Sequence, residues 1–128
     1  MLNSYRNLIR LHTSILNNFQ HFNLRKLYLQ GNLSLQLTDS MLCLTPVLTC
    51  LHLSSFVREQ PMIYFQHLSY SFQRFTLHLN RFNCEFLFNG QYEEFLLMKL
   101  RLEQLHPCFA HRFHFTKLDY GRIQVSTN

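Results

Sequence analysis

The sequence predicts an α+β fold in one small domain spanning residues 1–128. Three observations carry that expectation. A helix-period stripe with start and stop signals occupies about residues 91–105. Apolar and polar residues alternate on both sides of three turn-like breaks. And 47% of the chain is hydrophobic, with no Pro/Gly linker or charge block to divide it into two units.

In chain order, the first expected element is an amphipathic helix from about Ser4 to Phe22. Tyr5, Leu8, Ile9, His12, Ile15, Leu16 and Phe19 recur at helical spacing, with Arg6, Asn7, Arg10, Asn17 and Asn18 on the other face. Next comes a β-hairpin. Leu27 and Leu29 precede Gly31-Asn32, and Leu33, Leu35 and Leu37 follow. A three-residue loop of Gln30, Gly31 and Asn32 gathers all five leucines on one face. From Asp39 to Arg58 no charged side chain intervenes, but Pro46, His52, Ser54 and Ser55 interrupt the apolar run. Spanning a bilayer takes about 20 apolar residues, so a buried, Pro-broken helix or strand is expected here.

A second hairpin is expected around Asn80-Arg81, pairing Leu79 with Phe82, Leu77 with Cys84 and Phe75 with Phe86. The helix at 91–105 follows the break at Asn89-Gly90. Glu93 and Glu94 suit its first turn, Phe95, Met98, Leu102 and Leu105 form its stripe, Lys99 can reach Glu103, and Pro107 ends it. A third hairpin joins Phe113–Leu118 to Arg122–Ser126 through Asp119, Tyr120 and Gly121, setting Phe115 beside Val125.

A periodicity runs through the first half. Leu24, Leu27 and Leu29 are followed by Asn32; Leu48, Leu51 and Leu53 repeat the spacing 24 residues on; Phe72, Phe75 and Leu77, followed by Asn80, repeat it again. This resembles the strand segment of leucine-rich repeats. The resemblance implies a short leucine-rich-repeat-like array in place of hairpins, although Phe56 stands where the family places its ladder Asn. A poorly folded chain is the other alternative, because Gly, Ala, Val, Asp and Glu together number only 14 of 128 residues. These are the residues of codons beginning with G. Their scarcity beside 25 Leu and 13 Phe fits either a strong base-composition bias or a reading frame never selected to encode protein.

Catalytic machinery is sparse. There is no Gly-flanked Ser elbow, no phosphate loop and no His-Glu-x-x-His. Of the two Asp, Asp39 beside Ser40 suits a helix cap and Asp119 suits a turn; Glu93 and Glu94 are adjacent and diverge on a helix. No catalytic, cofactor-binding or metal site is assigned. The metal candidates weighed are His106, Cys108, His111 and His114, and more weakly Cys43, Cys50 and His52; scattered histidines and core thiols account for both groups.

The net charge of +5 and a pI near 9.3 allow attraction to nucleic acid or to an acidic partner. Arg74, His78 and Arg81 near Phe72, Phe75 and Phe82 come closest to a base-stacking pattern. Four scattered cysteines and no cleavable leader suggest an intracellular protein. The acid-poor N-terminus offers a mitochondrial address or membrane association as a rival reading. The expectation is therefore a non-enzymatic small protein, or the product of an unselected frame. The rivals are a basic binding module and a mitochondrial or membrane-associated protein.

Overall fold

A computed structural model of the protein describes residues 8–11, 23–110 and 112–127. Strand β1 is Leu8–Leu11 and β2 is Lys26–Gln30. Helix α1 (Leu35–Cys43), β3 (Cys50–Val57), α2 (Pro61–Phe75) and β4 (Arg81–Asn89) follow. Then come α3 (Tyr92–Glu103), a 3-10 turn at Pro107–Phe109, β5 (Phe113–Lys117) and β6 (Arg122–Thr127). They build one six-stranded sheet in the order β1-β2-β3-β4-β6-β5. The first four strands run parallel, and the C-terminal hairpin is added antiparallel to β4 through β6. The fold class is α+β.

Alternation decides the layers. Leu27 and Leu29 of β2, Leu51, Leu53 and Val57 of β3, and Phe82, Cys84, Phe86 and Phe88 of β4 are buried, as are Ile123 and Val125 of β6. The residues between them point to the opposite face. The helices cover the apolar face. Phe65 of α2 meets Phe86, Phe88, Phe109 and Phe113 at centroid distances of 4.9–5.9 Å. Phe72 meets Phe82 at 5.2 Å, and Phe95 of α3 meets Phe88 at 5.6 Å. Edge and tilted contacts dominate, as ring quadrupoles favour, so a core without Trp is built largely from Phe.

Two of the three hairpins are corrected. Leu35 and Leu37 belong to α1, because Ser34 caps it: its Oγ accepts from the Leu37 N–H at 3.1 Å, and Thr38, Met41 and Leu42 continue the buried stripe. Strand β2 therefore pairs with β3, in parallel. Phe75 ends α2, which Pro61 starts at its first turn and whose buried Tyr64, Phe65, Leu68 and Phe72 recur at helical spacing. Leu77 lies exposed in the following loop, and β4 pairs with β3 and β6. The third hairpin forms as expected. Phe115 lies opposite Val125, the Leu118 N–H donates to the Arg122 carbonyl at 2.9 Å, and Tyr120 and Gly121 take positive φ in the loop.

The helix expected at 91–105 is α3, with Phe95 and Leu102 buried and Lys99 bonded to Glu103 at 2.9 Å. Of the expected N-terminal helix, Leu8–Leu11 forms strand β1, paired in parallel with β2; the rest lies outside the described residues. The 24-residue period survives in part. Lys26 lies opposite Cys50, so Leu27 and Leu29 sit beside Leu51 and Leu53. The third copy is not Phe72, Phe75 and Leu77. The buried positions of the next strand are Leu79, Phe82 and Cys84, 31 residues on, because the longer α2 widens the step. Asn32 is exposed and builds no internal ladder; instead the Ser55 hydroxyl accepts from the buried Leu33 N–H at 3.1 Å.

Candidate functional site

Among the described residues no helix covers the second face of the sheet, and register arranges its side chains in rows. Lys26, Cys50 and Arg81 share the first, at the end where the parallel strands begin. Tyr28, His52 and Asn83 share the second; Gln30, Ser54, Glu85 and Ser126 the third; Phe56, Leu87 and Gln124 the fourth. Neighbouring strands lie about 4.8 Å apart, so Lys26 and Arg81 project roughly 10 Å from one another across Cys50.

In the second row the Tyr28 and His52 rings stack at 4.2 Å, 5° from parallel. His52 Nε2 lies 3.9 Å from a Glu85 carboxylate oxygen. Arg112 closes the basic end: it donates through Nη1 to the Phe82 carbonyl at 2.7 Å and through Nη2 to Asn83 Oδ1 at 2.6 Å. The far end is a groove of about 460 Å3 lined by residues that include Ser54, Phe56, Glu85, Leu87, Leu118 and Gln124. The face is thus polarised, with Lys26 and Arg81 where the parallel strands start and Phe56 and Leu87, beside the Glu85 carboxylate, where they finish. A second cleft of about 320 Å3, beyond the carboxyl ends of β3 and β4, is lined by charges of both signs, Arg58, Glu59 and Glu94 among them.

The metal candidates do not converge. His106 Nδ1 accepts from the Cys108 N–H at 3.0 Å and caps the 3-10 turn, and burial lowers its pKa from 6.5. The Cys108 thiol points into the core towards the Leu79 carbonyl at 3.5 Å, and burial raises its pKa, opposed by Arg112. His114 is exposed on β5, and His111 lies outside the described residues. Cys43 is exposed at the end of α1, across the sheet from Cys50 and His52. Among the described residues no group of three His, Cys, Asp or Glu is placed to hold a metal ion. No helix among them is long and apolar enough to cross a membrane.

Asp39 is not a helix cap. It lies inside α1, where its carboxylate accepts from His67 Nε2 at 2.8 Å and from the Ser71 hydroxyl at 2.5 Å, both on α2. No local motif marks this trio, because His67 and Ser71, one helical turn apart, lie 28 and 32 residues from Asp39. Acid, imidazole and hydroxyl meet here, but the geometry is not that of an activated nucleophile. Ser71 gives its proton to the carboxylate, not to His67, and its residue is buried. The trio ties α1 to α2.

The base-stacking pattern also fails on burial. Phe72 and Phe82 are core residues, and the Arg74 guanidinium sits 5.2 Å from the Phe75 ring on the helical layer. Arg81 and Arg112 border the open face; Arg74 does not. No protein-family model, no curated protein and no solved structure matches this chain.

Proposed function

We propose that the protein is a non-catalytic binding module whose recognition surface is the bare face of its sheet, and that it takes an extended acidic peptide segment. The observation that carries this reading is the polarised face. Lys26 and Arg81, flanking the stacked Tyr28 and His52, supply positive charge at one end, and Phe56 and Leu87 supply apolar contact at the other. A peptide running along the strand direction meets both. An acidic partner is favoured over nucleic acid for two reasons. Tyr28 and His52 spend a ring face on each other, and the remaining aromatics of the basic region are in the core, so bases lack a stacking platform. Few cations line the face, and Glu85 stands among them, which suits a short peptide better than a phosphate chain.

The agreement between sequence pattern and packing favours this reading over an unselected frame. Alternation holds without a break across β2 and β4, and the buried hydroxyls of Thr38, Thr45, Ser69 and Ser71 each have an acceptor. Such agreement between local pattern and tertiary packing is what unselected sequences lack.

The test is fluorescence anisotropy with a labelled Asp/Glu-rich decapeptide and a labelled single-stranded oligonucleotide of equal length. The K26E/R81E protein should lose at least about tenfold in peptide affinity, and R74E, on the opposite layer, should lose none. Unchanged peptide binding in K26E/R81E, or tighter binding of the oligonucleotide than of the peptide, would refute the proposal.

A further inference from the structure

We infer that the segment taken by the bare face carries acidic residues and, six residues away, an apolar side chain seated between Phe56 and Leu87. This rests on the reading of that face as a peptide surface, and adds the spacing and order of the side chains it selects. The rows fix the distance. Lys26, Cys50 and Arg81 form the first row and Phe56 and Leu87 the fourth, six residues further along β3 and β4. At about 3.3 Å per residue the two rows lie roughly 20 Å apart. A partner extended along the strands advances at the same rate, so six of its residues span the gap. Four reach only about 13 Å.

Parity sets a second condition. Side chains of an extended segment alternate between its two faces, so only residues an even number apart both point at the sheet. Positions i and i+6 meet that condition; i and i+5 do not. The residues between them fall over the second and third rows. Position i+2 lies over the stacked Tyr28 and His52 rings, and i+4 lies over the row that holds Glu85. The Glu85 side chain is 54% exposed, with His52 Nε2 3.9 Å from its carboxylate. Its charge disfavours an acid at i+4 and suits a Lys or Arg there.

The fourth row has the shape to hold the apolar residue. Phe56 is 36% exposed and Leu87 half-buried; they are neighbours in register, and with Leu118 they wall the groove of about 460 Å3. That volume falls within the roughly 300–1,000 Å3 that ligand pockets occupy. Charge runs in the same sense along the face, with Lys26 and Arg81 at the head and Glu85 beside the groove. A segment laid the other way round sets its acids beside Glu85 and its apolar side chain between two cations. Repulsion and desolvation oppose that placement, so the face selects one order.

Anisotropy titrations of the full chain with three labelled peptides provide the test. Three Glu at alternate positions fill the centre of each, with Ser elsewhere. The first adds Leu six residues to either side of the middle Glu, the second adds Leu five residues to either side, and the third adds none. Placing Leu on both sides makes the result independent of chain direction. The first should bind at least about tenfold tighter than the third, and the second no more than about threefold tighter. F56S/L87S strips the apolar wall from the sheet surface. It should erase the first peptide's advantage while binding the third as the natural protein does. Equal affinity for all three, or an advantage that F56S/L87S keeps, overturns the inference and leaves the peptide surface standing. Binding of none of them defeats that reading and the inference with it.

Discussion

The contact between α1 and α2 through Asp39 can be dissected by substitution. Asp39 accepts from two donors in different surroundings. Ser71 is 1% exposed, whereas the His67 and Asp39 side chains are 39% and 28% exposed. A hydrogen bond from a buried hydroxyl to a charged acceptor contributes about 1.5–3 kcal/mol, and a half-exposed imidazole–carboxylate contact about 0.2–1 kcal/mol. Asp39→Ala strips both and strands the Ser71 hydroxyl in the interior, so it should cost about 2–4 kcal/mol. Double-mutant cycles separate the terms: D39A with S71A should couple by about 1.5–3 kcal/mol, and D39A with H67A by no more than about 1 kcal/mol. Urea unfolding followed by far-UV circular dichroism is the suitable assay, because the chain has no Trp. A coupling to Ser71 below about 0.5 kcal/mol, or one to His67 that exceeds it, would refute the assignment of Asp39 as the acceptor that satisfies the buried Ser71 hydroxyl.

Two further outcomes follow from buried polar groups. The Tyr64 hydroxyl is buried without a hydrogen-bond partner among the described residues, and desolvation, with smaller pushes from Cys84 and Glu59, drives its pKa far above the ordinary value. Tyr64→Phe should therefore be neutral or stabilising by up to about 1 kcal/mol, and a loss above ~1 kcal/mol in urea unfolding would mean the hydroxyl is satisfied. His106 is held neutral by burial, with a folded pKa below 6.5. The unfolded chain then takes up the proton first, so this contribution to stability is complete above pH 6.5 and declines as pH falls towards the folded value. The stability advantage of the natural protein over His106→Gln should shrink between pH 7.5 and 5.5 in paired urea titrations, and a gap that stays constant would contradict the assignment.

What could be read from the sequence follows the range of the interactions. Helix α3 and the 113–126 hairpin are set by local signals, the acidic first turn and Pro107 in one case and the Gly121 turn in the other, and both form as expected. The errors at Leu33–Leu37 and Phe75–Leu79 share a cause. Short runs of alternating apolar residues fit a strand until a helix signal is noticed: the Ser34 cap places Leu35 and Leu37 in α1, and Pro61 opens an α2 that ends at Phe75 and leaves Leu77 in a loop. The parallel partner of β2 lies 24 residues away, and only the leucine-rich-repeat resemblance pointed to it. The bare face was harder still. Lys26, Cys50 and Arg81 become a row only through register, and register between parallel strands leaves no mark in any one segment.

The placing of β6 beside β4 has a consequence for how the chain emerges from the ribosome. Strand β4 ends at Asn89, but its second neighbour begins at Arg122, after α3 and β5 have been made. At about 5–20 residues per second, the roughly thirty intervening residues take ~2–7 s to synthesise. Throughout that interval one edge of β4, bearing Phe82, Phe86 and Phe88, has no strand to pair with. Nascent chains stalled between residues 90 and 121 should therefore recruit chaperones more strongly than chains stalled earlier or released whole.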